Sequence, residues 1–125
     1  MVSQPRELDV GDGTPSIDVR EIRVGHRSVL AVSGELDIAT SDTLRAAVDG
    51  AIASCAANVW VDLTNVHVLD STGLRVLLGA DARLREHSKS LAVICPPGPV
   101  RSVFETSELD QLTIFPDRAA AHAAG

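Results

Sequence analysis

The spacing of apolar and polar residues predicts that the fold of this chain begins with a β-hairpin. Residues 17–24 and 27–33 are rich in branched aliphatic side chains, and Gly25-His26 between them fits a tight turn. We therefore expect two antiparallel strands here. The apolar positions of the first strand change parity between Val19 and Ile22, for which a β-bulge is one explanation.

Beyond the hairpin, helical and strand patterns alternate. The clearest amphipathic helix follows helix-capping residue types at 40–42. Its apolar positions at helical spacing are Leu44, Ala47, Val48, Ala51 and Ile52. In the run 58–63, Val59 and Val61 lie opposite Trp60, as expected of a strand that is covered on both faces. We expect further strands at 90–95 and 112–115, and further helices at 70–86, from Pro99, and at 117–124, the last one Ala-rich, weakly anchored and prone to fraying.

This order of elements predicts one α/β domain over residues 17–125. Its mixed, mostly parallel β-sheet should have about five strands, with an antiparallel N-terminal hairpin and about four helices. Residues 1–16 contain Pro5, Pro15 and several acidic residues without periodicity, so we expect a flexible N-terminal segment. We find no internal repeat and no second domain.

Composition excludes several classes of function. The 125 residues are 45% apolar and carry a formal charge of −6, which argues against a nucleic-acid partner. No apolar run is long enough for a membrane span, and the N-terminus lacks a signal-peptide core, so we expect a cytoplasmic protein. Cys55, Cys95 and the four His residues show no ligand spacing, so we expect buried cysteines, no metal and no cofactor.

Candidate chemistry lies where strands lead into helices, which are residues 34–42 and 66–78. In the second segment, Asp70, Ser71 and Thr72 are all suited to cap a helix, and Gly73 removes side-chain bulk where another group must come close. A hydroxyl group here lies at the positive end of a helix. That location tolerates an added phosphate, because first-turn amides and the helix dipole favour an anion.

Two interpretations of this segment are open. In the simpler one, Asp-Ser-Thr-Gly is only a helix cap. In the other, the helix also presents a binding surface, because Leu74 and Leu78 form a second apolar stripe beside Asp81. An exposed pair of leucines next to a capping serine would suit a protein partner. A single wide arc facing the core is the alternative arrangement.

From Ile17 to Ala124, the chain resembles a STAS domain, and specifically a stand-alone anti-sigma factor antagonist of the SpoIIAA type. The resemblance is carried by Gly-Glu-Leu-Asp at 34–37 before a Thr/Ser helix start, by VDLTNVHVLDSTGL at 61–74, and by the strand 91–95 followed by PPGPVRSVFETSELD. Each piece alone is weak. The Asp-Ser-Thr-Gly-Leu motif between a strand and a helix, with Gly-Glu-Leu-Asp upstream, is specific in combination.

This resemblance implies a binding protein that is controlled by phosphorylation. In the family, the serine after the Asp is phosphorylated by the anti-sigma factor, which is itself a serine/threonine kinase. That position corresponds to Ser71. The unphosphorylated form binds the kinase and frees the sigma factor, and a metal-dependent serine phosphatase restores this form. The implied role is regulation of bacterial transcription, in stress response, sporulation or development.

The resemblance also assigns supporting residues. Asp37 corresponds to an acidic position near the phosphorylated serine, and Asp70 and Gly73 flank the phosphosite. Thr72 is a secondary candidate for modification, since related proteins often carry Ser there. The expected partner-binding residues are Ser71, Thr72, Leu74, Leu78 and Asp81. We expect a monomer or a weak homodimer.

Enzymatic function is not expected. A phospho-Asp receiver could use Asp62, but its site requires a Lys after the last strand, and Lys89 is the sole lysine. An aspartic protease motif would lack the extra residue between Asp70 and Gly73. No Gly-x-Ser-x-Gly elbow and no P-loop motif occurs.

The alternative function is a STAS scaffold or a nucleotide-sensing module that Ser71 phosphorylation does not control. A scaffold protein usually carries an additional N-terminal domain, which residues 1–16 are too few to form. A nucleotide sensor would need a glycine loop around the phosphates, which the sequence lacks. Equilibrium dialysis with GTP and ATP would separate this function from pure protein binding.

Overall fold

The computed structural model describes residues 17–54, 58–106 and 112–124. The predicted flexible segment 1–16 and Cys55 lie outside the described residues. The elements are β1 (Ile17–Val24), β2 (Arg27–Leu36), α1 (Ser41–Ala53), β3 (Asn58–Leu69), α2 (Ser71–Glu86), β4 (Ser90–Ile94), α3 (Pro99–Thr106), β5 (Thr113–Phe115) and α4 (Arg118–Ala124).

One five-stranded sheet organises the chain, in the order β1-β2-β3-β4-β5. β1 pairs with β2 in antiparallel fashion, and every other neighbouring pair is parallel. This confirms the predicted mixed, mostly parallel sheet with an N-terminal hairpin. The parallel connections run through helices, which places the carboxyl ends of β2, β3 and β4 at one end of the sheet.

Helices cover the two faces of the sheet unequally. α1, α2 and α3 bury one face, where their apolar residues form the main core with the strands. The other face carries a small cluster of Val29, Trp60, Ile94 and Ala121, the last of which belongs to α4. Val59 and Val61 are fully buried on the first face and Trp60 is buried on the second, so β3 is covered on both faces as predicted. No helix in the described ranges is long and apolar enough to cross a membrane.

The predicted bulge in β1 is wrong. β1 pairs with β2 residue by residue from Ile17 to Val24, without a break. The parity change has a simpler cause, since the alternating strand directs Ile17 and Val19 toward the helices and Ile22 and Val24 toward the opposite face. The irregularities lie instead in the pairing of β2 with β3.

β2 and β3 are longer than predicted, because both continue past Ser33 and Leu63 to Leu36 and Leu69. The polar side chains that favoured a loop in β3 are exposed at the surface: Thr64, Asn65 and His67. Val66 and Leu69 between and after them remain buried. Two register shifts between β2 and β3 allow the strands to stay paired over this length.

α4 contacts the sheet through two side chains that the sequence did not predict, while Ala121 is its one buried residue and its fraying stays a prediction. The Nε of Arg118 donates a hydrogen bond to Oδ2 of Asp62 at 2.7 Å. The ring of His122 packs edge-on against Trp60 with centroids 4.8 Å apart. Both anchors come from β3, which is distant in sequence. They bury Ala121 on the second face of the sheet.

Cys95 is a buried, unpaired thiol at the end of β4, as predicted. Burial raises the pKa of this thiol, which keeps it protonated at neutral pH. The described residues contain no group of three or more His, Cys, Asp or Glu side chains arranged to hold a metal ion.

The stability of the chain in acid is expected to depend on Asp62. Burial raises the pKa of this carboxyl, but hydrogen bonds from Thr64 and the pairing with Arg118 outweigh burial and leave the pKa below its ordinary 3.8. The folded pKa is depressed, so the stabilisation is present above the unfolded value and is lost as pH falls through the folded value. Asp62→Asn should therefore be less stable than wild type at about pH 7, and this deficit should shrink below about pH 4.

Urea unfolding across this pH range measures the effect of Asp62→Asn. Asp42→Asn is the matched control, because the Asp42 side chain is 88% exposed and its ion pair with Arg45 lies at the surface. We expect that control to change little at any pH. A stability deficit of Asp62→Asn that stays constant from neutral to acidic pH would contradict the assignment.

Candidate functional site

The two segments predicted to carry the site meet at the carboxyl ends of β2 and β3. Leu36 pairs with Leu69, and the backbone N–H of Asp70 donates to the carbonyl oxygen of Leu36 at 3.2 Å. Asp37 and Asp70 are the next residues along these adjacent parallel strands. The structure therefore brings the two predicted acidic positions to neighbouring strand ends, next to the start of α2.

Asp70 is the N-cap of α2. Its backbone is extended, and its Oδ1 accepts hydrogen bonds from the N–H groups of Thr72 and Gly73 at 2.9 and 3.0 Å. The carboxylate thereby satisfies two amides of the first turn and lies at the positive end of the helix. The cap was predicted for the Asp-Ser-Thr cluster, and the structure assigns it to Asp70.

The hydroxyl groups of Ser71 and Thr72 are not used by the cap. Neither hydroxyl hydrogen-bonds to any residue in the described ranges. Ser71 is exposed and Thr72 is half-buried. Ser71 is thus held at the first position of a rigidly capped helix with its hydroxyl available to a partner or a modifying enzyme.

Asp37 organises the loop between β2 and α1. Its Oδ1 accepts a hydrogen bond from the Ala39 N–H at 2.9 Å, and its own N–H donates to Oγ1 of Thr40 at 3.0 Å. The Thr40 hydroxyl donates to the carbonyl oxygen of Glu35 at 2.7 Å and does not cap α1, although Thr40 occupies the N-cap position. The result is a tight turn that holds Ile38 outward, with 77% of this side chain exposed.

Gly73 is required by a close approach between α2 and the strands. A Cβ atom at this position would lie 2.7 Å from Cγ and 2.9 Å from the carbonyl oxygen of Leu36, and 2.9 Å from Cδ1 of Leu69. These contacts are too short for any side chain. The absence of a Cβ therefore lets the first turn of α2 rest directly on the ends of β2 and β3, as the sequence predicted.

The predicted partner-binding residues of α2 divide into exposed and buried ones. Leu74 is 6% exposed and belongs to the main core, so the interpretation that Leu74 and Leu78 form an exposed pair is wrong. Leu78 is half-buried at the edge of that core. Asp81 is also buried and forms an ion pair with Arg85 at 3.0 Å. The helix has one wide core-facing arc because α1 and the sheet cover it on that side.

The exposed side of α2 carries a basic residue near Ser71 that was not predicted from the sequence. Arg75 lies one helical turn after Ser71 on the exposed side, and its guanidinium pairs with no described residue. Residues four apart on a helix are neighbours, so a positive charge lies within reach of any anion attached to Ser71. The i, i+4 spacing was the available signal. Ile38 was missed too, because exposure in a loop leaves no periodicity.

Comparison with known proteins identifies the family. The family described as Mlab, STAS domain matches residues 19–115. The anti-sigma F factor antagonist of Paenibacillus polymyxa is 38% identical over 88 residues, which cover 67% of this chain and 74% of that protein.

Solved structures share the fold. An anti-sigma factor antagonist from Mycobacterium paratuberculosis matches with a TM-score of 0.80 at 26% identity, covering 87% of this chain and 93% of that one. The anti-sigma factor antagonist SpoIIAA in its unphosphorylated form matches with a TM-score of 0.71 at 22% identity, covering 86% and 96% of the two chains, and supports the fold. The chain therefore belongs to the STAS-domain family of anti-sigma factor antagonists.

Proposed function

We propose that this chain binds an anti-sigma factor that is a serine/threonine kinase, and that phosphorylation of Ser71 by this kinase ends the binding. In this proposal, the unphosphorylated form holds the kinase and so releases the sigma factor. A metal-dependent serine phosphatase regenerates the binding form. The domain acts by binding, and its own residues carry no catalytic step.

The exposed, unpaired hydroxyl of Ser71 is the observation that supports this proposal most strongly. If the Asp-Ser-Thr-Gly motif served only as a helix cap, Asp70 alone would be sufficient, since its carboxylate makes both capping hydrogen bonds. Ser71 contributes nothing to the cap and lies at the surface. An accessible hydroxyl at the start of a capped helix is what a protein kinase needs in a substrate that is already folded.

The surface around Ser71 has the character of a protein-binding face. Thr72 and Leu78 are half-buried on the same helix, and Ile38 projects from the neighbouring loop. The first two are among the predicted partner residues. Leu74 and Asp81, also predicted, are buried and would act by positioning α2. An apolar Ile38 on the loop after β2, which ends next to the start of α2, fits a partner that covers both segments at once.

The charge of the site explains why a phosphate at Ser71 would interfere with binding. The Thr72 and Gly73 amides already donate hydrogen bonds to Asp70, so these two amides are not available to bind an added phosphate. A phosphoserine carries about −1.5 to −2 charge at neutral pH. It would lie next to the Asp70 carboxylate, with Arg75 one turn away as a local counter-charge. A partner that fits the neutral hydroxyl would then meet a bulky anion.

Affinity capture tests the proposal. Wild type and Ser71→Asp are used side by side as baits in a lysate of the source organism, with mass spectrometry of the bound proteins and of residue 71. We expect wild type to retain an ATP-binding serine kinase that Ser71→Asp loses. We also expect a phosphate on residue 71 after incubation with that kinase and ATP.

Ser102→Asp is the matched control, because Ser102 is an exposed serine on α3 whose hydroxyl bonds only within its own turn. It adds the same charge at a different surface and should capture the kinase as wild type does. The proposal fails if wild type and Ser71→Asp capture the same partner, or if neither captures a kinase.

A further inference from the structure

We propose that two copies of this chain associate through the outer edge of β1, as an antiparallel pair of strands about a two-fold axis at Ile22. This surface is separate from Ser71, and the proposal does not depend on the function proposed above. It rests on the length of the edge, on two exposed apolar side chains, and on the order of charges along β1.

β1 presents a long and regular strand edge. It is an outermost strand of the sheet, spans eight residues without proline, and pairs with β2 without a bulge. Prolines, bulges, short length and charged side chains are the usual protections of an edge against pairing with another chain, and of these β1 has only the charges. β5, at the opposite edge, has only three residues. One edge of the described sheet is therefore suited to pairing, and pairing at one edge gives a closed dimer.

The open face of β1 carries apolar side chains that none of the described helices covers. Ile22 is 43% exposed and Val24 is 55% exposed. Both lie on the face opposite α1, since Ile17 and Val19 pack toward the main core. α4 covers the part of this face near Trp60 and Phe115, and leaves the β1 part uncovered. A second copy joined at β1 would continue the sheet and place its own Ile22 and Val24 beside these.

The charges on β1 select the register of such a pair. A two-fold axis perpendicular to the sheet leaves the helix-covered faces of both copies on the same side. Such an axis sets one residue of β1 directly opposite the same residue of the second copy, and that residue defines the register. An axis at Arg20, Glu21 or Arg23 would set that residue against its own copy, and like charges directly opposite each other are destabilising. An axis at Ile22 sets an isoleucine against an isoleucine and avoids this repulsion.

The axis at Ile22 also creates two favourable charge pairs. It places Glu21 opposite Arg23 of the partner subunit, and Arg23 opposite Glu21 of the partner subunit. Both side chains are 40% exposed, and within one chain they form an ion pair at 3.9 Å and hydrogen-bond to Ser54 and Ser28, so the pairs across the axis would extend an existing charge network. An axis at Val19 would also pair opposite charges, Asp18 with the partner's Arg20, but it would leave Ile22 and Val24 uncovered. The Ile22 register pairs the opposite charges and sets Ile22 against its own copy, while Val24 lies opposite Arg20 of the partner subunit.

The backbone is oriented for the same register. Gly25, with φ of 61°, begins a two-residue turn in which Val24 faces Arg27. Residues that flank such a turn form a hydrogen-bonded pair, so Glu21 and Arg23 direct their N–H and C=O groups away from β2. These groups are the ones that would bond to the second copy. Ile22 would form a close pair without backbone hydrogen bonds, at a Cα separation of about 4.5 Å.

Sedimentation equilibrium of the full chain with reductant tests the proposal over a range from about 10 μM to about 1 mM, where a short strand pair should associate. We expect the wild-type mass to rise from 13.1 kDa toward twice that value. Arg23→Glu should weaken association at least about tenfold, because it sets glutamates opposite each other. The double variant Glu21→Arg with Arg23→Glu restores opposite charges and should recover association.

Ile22→Thr, which keeps strand propensity, should also weaken association. Val68→Thr is its matched control, because Val68 is exposed to 42% on β3 and away from β1. Thermal melts verify that each variant is folded. The proposal is overturned if wild type stays at 13.1 kDa throughout, if the double variant associates no better than Arg23→Glu, or if Ile22→Thr associates as wild type does.

Discussion

Phosphorylation of Ser71 is expected to weaken binding of the anti-sigma factor by roughly ten- to a thousandfold, without a change of fold. One charge pair that becomes unfavourable near 4 Å is worth on the order of 1 to 4 kcal/mol at surface dielectrics, and each ~1.4 kcal/mol is tenfold in affinity. The Asp70 carboxylate beside Ser71 adds to the negative potential that the partner meets. Isothermal titration calorimetry with the purified partner, using both forms of the chain, measures the ratio.

Phosphorylation is also expected to leave the structure of most of the chain unchanged. Because Asp70 already caps α2 through Thr72 and Gly73, a phosphate on Ser71 displaces no existing hydrogen bond. We expect amide NMR shifts to be confined to the start of α2 and to the neighbouring loop at Asp37. Ser102→Asp serves as the control, since it keeps Ser71 and Thr72, lies on α3, and should bind and be phosphorylated. Shifts spread across the whole sheet would instead indicate that phosphorylation changes the fold. Equal affinities of the phosphorylated and unphosphorylated forms for the partner would contradict the proposed control by phosphorylation.

Substitution of Gly73 by alanine is expected to lower the free energy of unfolding by about 2 kcal/mol, as overpacking of a tight site usually does. The added Cβ would meet the carbonyl oxygen of Leu36 at 2.9 Å, and this oxygen also accepts the hydrogen bond from Asp70. Relief requires the first turn of α2 to move away from β2 and β3. Such movement would displace Ser71 as well, so partner binding should weaken together with stability. Chemical denaturation and calorimetric binding measure the two effects.

Gly79→Ala is the matched control on the same helix. A Cβ at Gly79 meets nothing within 4 Å, and the residue lies on the exposed side of α2. Alanine is favoured over glycine in a helix by about 1 kcal/mol, so this variant should be more stable than wild type by up to that amount. Two identical substitutions in one helix thus have opposite expected signs. If Gly73→Ala were as stable as Gly79→Ala, the close approach of α2 to the strand ends would be refuted.

Much of the site followed from local chemistry. A cap within Asp70-Ser71-Thr72 could be predicted because such side chains before a helical pattern favour capping, and the structure then assigned it to Asp70. The need for glycine at 73 followed from its place where a helix begins beside strand ends. The adjacency of Asp70 and Gly73 to Asp37 followed from topology, since neighbouring parallel strands end at the same edge of a sheet.

Other features could not be predicted, because they depend on which side of an element its neighbours cover. The pattern of α2 allowed either an exposed Leu74 or a wide buried arc, and the packing of α1 and the sheet decided for burial. The parity change in β1 could be explained by a bulge or by two differently covered faces. The structure shows two differently covered faces, because the helices cover one face of β1 and leave Ile22 and Val24 on the other face exposed.

By itself, the sequence determined the order of strands and helices, the mixed sheet, and the Asp-Ser-Thr-Gly start of α2, because periodicity and capping act within a few residues along the chain. Tertiary structure alone decided the docking of α4 on Asp62 and Trp60, the burial of Leu74 and Asp81, and the open edge of β1. Those features depend on contacts between residues far apart in sequence. Their energies are set by solvent exclusion and by distances that exist only after the elements have packed.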